Sequence, residues 1–540
     1  MQRYDHIVIG AGSAGCAVAA RLAEDPVRRV LLLEAGGHDL SLAARVPAAF
    51  PNQFHTKGDW DYYTEPEPGC DNRRIYEPRG KVLGGCSAMN AMLWIRGSRL
   101  DYDGWGLPGW SWEEVLPFFR RMECHFLRGD DWGAEGPMQI LRLTAPDPVA
   151  EAFVESAAAA GIQKTDDVSG PDLDGVALAP TTTVGGRRWS TARGYLDPLR
   201  KAPNLTVMTN ALVHRIVVRD GRAVGVVVER KGKVMELAAA RDIVVSAGAF
   251  NTPHLLQLSG IGPADLLRDL GIDVVADSPA VGAHLREHPM TFCNFELREG
   301  WLGLSDATHP KHLVNWLLRG RGKLASNVAE AVAHIRTRPD APAPDMQLVH
   351  APTYFWDNGE AEHPAPAFCI AQSYWTPASS GTVRATTRDP HVKPAVQLNM
   401  LTERSDLEAL LRGIAKAREI VRSGPLRDMV KAEIHPGEHV RTEAELERWV
   451  RQTCGHTYHP ACTARMGEEG EGAVDHELRV HGVENLRVAD ASAMPEITRA
   501  NTNAPAILMG ERCAAFIKAA DDERVRPRLR QHHQPVAAAV

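Results

Sequence analysis

Gly10-Ala11-Gly12-Ser13-Ala14-Gly15 sets three glycines at the spacing G-x-G-x-x-G, and an acid, Glu34, follows about twenty residues later at the end of the next apolar run. Each glycine has a separate physical task. Gly10 permits a tight turn, Gly12 lets a pyrophosphate approach the backbone, and Gly15 lets a helix lie close to a strand with its positive end at the phosphates. Glu34 then holds ribose hydroxyls; its carboxylate repels a 2′-phosphate, so NADP is disfavoured, while FAD and NAD both satisfy the motif. A second candidate lies far along the chain in Tyr458-His459-Pro460. A histidine there can serve as a general base, or as a loop residue hydrogen-bonded to backbone. Cys454, His456, His459 and Cys462 are ligand types that zinc accepts, but C-x-H-x-x-H-x-x-C is not a common structural zinc spacing, and no metal is expected.

The elements that position these residues read as alternating strands and helices. His6 to Gly10 is a short buried strand, Ser13 to Ala23 a small-residue helix and Val30 to Leu33 a second strand, which together make a βαβ unit with parallel strands. Leu205–Met208, Arg215–Val218 and Ala223–Glu229 read as further strands, the last two joined by the turn dipeptide Asp220-Gly221 in a small antiparallel layer. Asp242 to Ala247 is another apolar strand. Asn251-Thr252-Pro253 should open a helix through Leu258, with Asn or Thr as its cap. Residues from about 300 to 455 differ in texture, with aromatic residues among proline-rich connections, and read as part of a second domain. Ala504 to Phe516 reads as a helix with Asn503 at its cap and Pro505 in its first turn. Residues from Asp521 onward lack periodicity and read as a mobile tail.

A chain of 540 residues with 44% hydrophobic and 24% charged residues has room for two domains with deep cores. Its 61 basic and 68 acidic residues leave a net charge of −7, which offers no global attraction for nucleic acid. Nine irregularly spaced cysteines suggest reduced thiols and a cytoplasmic setting. A strand within five residues of the start leaves no room for a signal peptide, so none is expected, and no apolar run reaches the roughly 18 residues of a membrane span, so stable membrane insertion is not expected either.

Four separated segments carry a family resemblance. They are the fingerprint with Glu34-Ala35-Gly36; Gly80-Lys81-Val82-Leu83-Gly84-Gly85-Cys86-Ser87-Ala88-Met89-Asn90; Gly248 through Ser259-Gly260-Ile261-Gly262; and the run from Tyr458-His459-Pro460 to Asn501-Thr502-Asn503-Ala504-Pro505. With them the chain resembles the glucose-methanol-choline (GMC) oxidoreductases, in particular choline dehydrogenase-like members, from Ile7 to about Phe516. The resemblance implies an α/β fold with a Rossmann-type FAD-binding domain on a parallel sheet (1–145, 203–295 and 455–520). It also implies a substrate-binding domain built on an antiparallel sheet with helices (146–202 and 296–454), leaving 521–540 as the tail. For FAD it implies contacts from Gly10, Gly12, Ser13, Ala14, Gly15, Glu34 and Ala35, from Val82, Gly84, Gly85, Ser87, Asn90, Ala91 and Leu93, and from Val213, Asp490, Ala491, Asn503 and Ala504. Met89 stands where some relatives link FAD covalently through histidine, so attachment should be non-covalent. Cys86 replaces a more usual Ser or Thr and could sensitise the site to oxidation.

The same resemblance implies oxidation of a small alcohol to an aldehyde or ketone. His459 would take the hydroxyl proton, Asn503 would hydrogen-bond the substrate oxygen, and the helix from Ala504 would favour negative charge on the reduced flavin. The electron acceptor would be oxygen, or a quinone or other redox carrier. Tyr354, Phe355, Trp356, Tyr374 and Trp375 are candidates for an apolar pocket that would suit an aryl or alkyl alcohol or cage a quaternary ammonium. Two other readings stay open on sequence: a non-redox lyase of the same fold, and a binding protein that retains the fold without turnover.

Overall fold

The computed structural model describes residues 3–39 and 41–531. Its centre is a five-stranded, all-parallel sheet in the order Leu205–Met208, Val30–Leu33, His6–Ile9, Ile243–Val245, Leu486–Val488. The three middle strands are buried along their whole length, as a parallel sheet covered on both faces requires, and so they read as continuous apolar runs. Ser13–Ala23 follows the first strand after the glycine turn. A Cβ on Gly15 would lie 1.9 Å from the carbonyl oxygen of Gly10, so only glycine lets this helix pack so close to the strand it follows.

Beside this sheet lies a meander of Ala211–Arg219, Arg222–Arg230 and Lys233–Ala239, extended by Arg3–Tyr4. Asp220 and Gly221 both take positive φ (50° and 72°), the two-residue hairpin geometry expected from that dipeptide.

A seven-stranded, antiparallel sheet forms the second layer, in the order Val430–His435, Pro289–Leu297, Ala367–Tyr374, Met346–Ala351, Ala331–Ile335, Gly175–Leu178, with Gly455–His456 pairing to Pro289–Leu297. Period-two alternation splits its side chains between two faces. Cys293, Phe295, Phe368, Ile370, Met346 and Leu348 pack with the helices Pro148–Ala159 and Arg404–Val421. Met290, Phe292, Cys369, Ala371, Val349 and Ala351 face the other way, into a smaller apolar cluster with Phe50 and Phe54. The strand Pro289–Leu297 thus belongs wholly to this sheet and runs across the expected boundary at residue 295.

Two expectations are corrected. The helix expected to open at Asn251 begins at Gly248, with Asp490 Oδ2 accepting from the Gly248 N–H (2.8 Å) and from the Thr252 hydroxyl (2.6 Å). Pro253 is therefore interior; lacking an N–H, it leaves the Ala249 carbonyl without its usual partner, and the Thr463 hydroxyl donates to it instead at 2.6 Å. The last helix runs from Asn503 to Gln531, so the tail expected from Asp521 is helical as far as Gln531, and residues 532–540 lie outside the described residues. Asp521 itself is buried, with Arg28 and Arg241 guanidinium groups at 3.0 and 2.8 Å. No helix among the described residues is long and apolar enough to cross a membrane.

Candidate active site

One long cleft runs between the parallel sheet and the cleft-facing side of the antiparallel sheet, and it joins most of the residues singled out by sequence. Gly10, Gly12, Ser13, Ala14, Glu34, Ala35, Gly85, Asn90, Ala91, Leu93, Val213, Asp490, Ala491 and Asn503 all line it, as does His459. Gly15, Val82, Gly84, Ser87 and Ala504 are not on its wall. Gly15 sits behind the turn, Ser87 is buried between the Gly84 carbonyl and the Thr191 hydroxyl, and Ala504 is fully buried.

The wall at the glycine turn is built to admit an anionic, planar ligand. Gly12 caps the first helix without any side-chain hydrogen bond, which leaves its N-terminal N–H groups facing the cleft. Gly85 approaches Gly12 so closely that a Cβ on it would lie 2.6 Å from the Gly12 Cα, and Gly84 N–H donates to the Ala11 carbonyl at 2.7 Å. Glu34 Oε2 accepts from Ala11 N–H (2.9 Å) and Oε1 from Gly36 N–H (2.8 Å). Burial pushes the Glu34 carboxyl up to about 7 despite these two bonds. Asn90 is pinned by Arg188, whose Nη1 donates to the Asn90 carbonyl (2.6 Å) and side-chain oxygen (2.8 Å).

At His459 a buried polar network meets the apolar cluster. His459 Nδ1 faces His288 Nδ1 at 3.0 Å, so one of these nitrogens carries the proton and the other the lone pair. Glu287 Oε1 accepts from the backbone N–H of both His459 (2.8 Å) and His288 (2.9 Å) and fixes the two rings relative to each other. Burial lowers His288 to about 3 and holds His459 well below the ordinary histidine value, with His288, Arg79 and His456 adding to the effect on His459. Both imidazoles are neutral at pH 7. Glu287 and Glu77 are buried beside Arg79; burial raises both carboxyls, Glu287 to about 8.

Asn503 is the asparagine expected to hydrogen-bond the substrate oxygen, but a different asparagine stands beside His459. Asn501, not Asn503, comes to its ring, with Nδ2 at 3.5 Å from His459 Nε2. The Asn501 amide is itself held by a reciprocal pair with Gln347 (3.2 and 3.3 Å), and Gln347 Nε2 lies 3.1 Å from His334 Nε2. Asn503 begins the last helix, and its side-chain oxygen accepts from the Ser13 hydroxyl at 2.7 Å, which ties that helix to the glycine turn.

The aromatic wall also differs from expectation. Of the five candidates only Phe355 lines the cleft. Trp356 stacks on His435 (4.0 Å between ring centroids), Tyr354 packs on His363 (5.2 Å), Trp375 is fully buried against His334 (4.6 Å), and Tyr374 packs beside the helix-side core. The cleft is lined instead by Phe50 and Phe54, on and just after the short helix Pro47–Gln53, with Phe292 and Phe355, and elsewhere along its length by Trp60, Tyr62, Phe250 and Tyr458. Phe54 meets Tyr458, the neighbour of the histidine, at 6.1 Å. The four residues of the weighed zinc pattern go to separate partners: Cys454 Sγ to Met400 Sδ (3.5 Å), His456 to the Tyr76 carbonyl (2.8 Å), His459 to His288, while Cys462 is buried in the core around the parallel sheet.

GMC oxidoreductase family models match residues 4–290 with the N-terminal part and residues 377–510 with the C-terminal part. The chain belongs to the GMC oxidoreductase family. It is 40% identical over 525 residues to an uncharacterized GMC-type oxidoreductase of Mycobacterium tuberculosis, covering 95% of this chain and 99% of the relative. It is 39% identical over 532 residues to an oxygen-dependent choline dehydrogenase of Sinorhizobium fredii, covering 95% of each. Among solved structures, pyridoxine 4-oxidase from Mesorbium loti superposes with a TM-score of 0.87 at 29% identity, covering 95% of this chain and 98% of that one. A formate oxidase superposes with a TM-score of 0.90 at 26% identity, covering 97% and 99%. This GMC family member is an FAD-dependent enzyme of the alcohol oxidase and dehydrogenase class. The glycine cradle, the uncapped helix terminus and the paired backbone bonds on Glu34 all suit that dinucleotide.

Proposed function

We propose that this GMC oxidoreductase oxidises an uncharged, largely apolar alcohol, with His459 taking the hydroxyl proton at Nε2 and Asn501 holding the hydroxyl oxygen. The observation that carries the reading is the Nδ1 to Nδ1 contact between His459 and His288. When His459 Nδ1 carries the proton and donates to His288, the lone pair of His459 is left on Nε2, the nitrogen beside Asn501. His288 is then a positioning residue that selects the tautomer, and Glu287 holds both backbones in register. FAD, when bound along the cleft through Gly12, Ser13, Glu34, Gly85 and Asn503, supplies the two-electron acceptor for the hydride that leaves the carbinol carbon. Met89, also on the cleft wall, has no nucleophilic nitrogen, which supports non-covalent attachment at that position.

The substrate class follows from the lining. Phe50, Phe54, Met290, Phe292, Val328 and Phe355 form one apolar wall, while the acidic side chains that line the cleft, Glu34 and Asp490, stand at its glycine-turn side and are each held by backbone N–H groups. A quaternary ammonium would find aromatic faces there but no carboxylate, so an aryl or alkyl alcohol is the better fit. The test is a screen of anaerobic flavin bleaching with benzyl-type, alkyl and cationic alcohols. Neutral aryl or alkyl alcohols should reduce the flavin fastest, and preference for a cationic alcohol would overturn the substrate assignment.

Asn501 and Asn503 separate two roles that sequence spacing confuses. Asn501→Ala should lower kcat by about 10²-fold, the scale of losing one donor aimed at developing charge on oxygen, with flavin content unchanged. Asn503→Ala removes the bond to Ser13 and should act mainly on flavin retention and stability. Steady-state kinetics with flavin-to-protein ratios checks both, and a larger kcat loss in fully loaded Asn503→Ala would reverse the assignment.

The pH dependence has a definite sign. His459 must be unprotonated to accept a proton, and its depressed value keeps it so as pH falls. The kcat/KM profile should therefore stay flat from pH 8 down past about 6.5, the ordinary histidine value, and decline only at lower pH. An acid limb centred above that value would contradict the environment described for this imidazole.

A further inference from the structure

At another part of the cleft rim, beside Val213, three ligand-type side chains from separate parts of the chain converge. His214 lies on the strand Ala211–Arg219, Glu229 on its hairpin partner Arg222–Arg230, and His391 on the exposed loop following Thr382–Arg384. Glu229 Oε2 is 3.1 Å from His214 Nε2 and 3.1 Å from His391 Nε2, and the three donor atoms all lie within 4.8 Å of one another. The two imidazoles meet edge to face with centroids 5.3 Å apart.

The backbone makes this convergence. Val213 pairs with Val228 and Arg215 with Val227, so His214 is the extra residue of a β-bulge. A bulge re-aims one side chain and slips the pairing beyond it by one residue, and here it turns His214 to the Glu229 side chain one residue along the partner strand. The loop supplies the third group from more than 150 residues further on, while its neighbours Pro390, Val392 and Lys393 line the cleft rim. Two imidazoles and one carboxylate are a donor set zinc prefers, and tetrahedral zinc bonds place adjacent donor atoms about 3.3 Å apart. The side chains are 17%, 29% and 55% exposed for His214, Glu229 and His391, so a fourth position opens to water.

We propose that His214, Glu229 and His391 form a binding site for a zinc-type divalent ion that fastens the 386–393 loop to the hairpin at the cleft rim. The site is distinct from the His459 network and does not depend on how that network acts. Chelator-treated, FAD-loaded protein dialysed against Zn²⁺ alone should take up one ion per chain, and His391→Ala should weaken that uptake by about 100-fold. His391 is exposed, so its loss leaves the fold intact, which circular dichroism verifies; Glu229→Gln, similar in shape, should weaken uptake in the same way. Cys86→Ser should bind as wild type, which separates this site from thiols. Zn²⁺ should also slow hydrogen exchange at the Asp389, His391 and Val392 amides in wild type, and should not slow it at Asp389 and Val392 in His391→Ala. No uptake by wild type, equal uptake by His391→Ala, or loss of uptake in Cys86→Ser would overturn the site. Zn²⁺ bound with loop exchange unchanged would overturn the fastening.

Discussion

Gly85→Ala is expected to yield protein that has lost most of its flavin. Gly85 sits at φ 52°, a region that costs a residue with a Cβ about 1–2 kcal/mol, and that Cβ would lie 2.6 Å from the Gly12 Cα. The Cβ is fixed in place by its own backbone and the Gly12 Cα is backbone, so neither atom can rotate away. The two glycine segments must separate, and they are the walls that approach the dinucleotide. A displacement costing about 3 kcal/mol of binding energy weakens FAD about 100-fold. Gly221→Ala is the matched control: its φ of 72° is equally unfavourable, but open space surrounds it on an exposed hairpin. It should cost about 1 kcal/mol of stability and keep its flavin. Flavin-to-protein absorbance ratios and thermal melting measure both variants, and a fully loaded Gly85→Ala would show that the cradle is not where the cofactor is held.

The second large effect concerns the base. His459→Ala should lower kcat/KM by about 10²–10⁴-fold, the usual contribution of a positioned general base. The melting temperature and flavin content should change far less, because the ring's bonds run to His288 and Asn501 and not to the glycine cradle. His288→Ala should give a smaller loss of kcat and move the acid limb of the pH profile, since it removes the group that selects the tautomer without removing the lone pair. A purely structural His288 would lower stability and leave the pH profile in place.

Much of this arrangement was legible in the sequence, for identifiable physical reasons. The fingerprint strand, helix and second strand appeared within one residue of the expected limits because glycine spacing, apolar runs and an acidic strand end all record local geometry. Asp220-Gly221 marked its hairpin equally well. The errors arose where long-range contacts decide. Asn501 and Asn503 are the same residue type two positions apart, and nothing local says that one meets Gln347 and the other Ser13. Pro253 suggested a helix start because its orphaned carbonyl partner is satisfied by Thr463, 210 residues later, which no window around Pro253 contains. Phe50 and Phe54 lie outside the densest aromatic stretch of the sequence, much of which packs against histidines away from the cleft. His288 and Glu287 carry no motif of their own on one sequence; only the 3.0 Å contact with His459 reveals them. Asp521 looked like the start of a tail because its partners, Arg28 and Arg241, are hundreds of residues away.

The most direct measurement is a single anaerobic turnover, mixing FAD-loaded protein with an aryl or alkyl alcohol and following the visible flavin absorbance in wild type and in His459→Ala of equal flavin content. The account predicts rapid bleaching in wild type and bleaching slowed at least about 100-fold in the variant. Equal rates in the two proteins, or a wild-type flavin that no alcohol reduces, would contradict it.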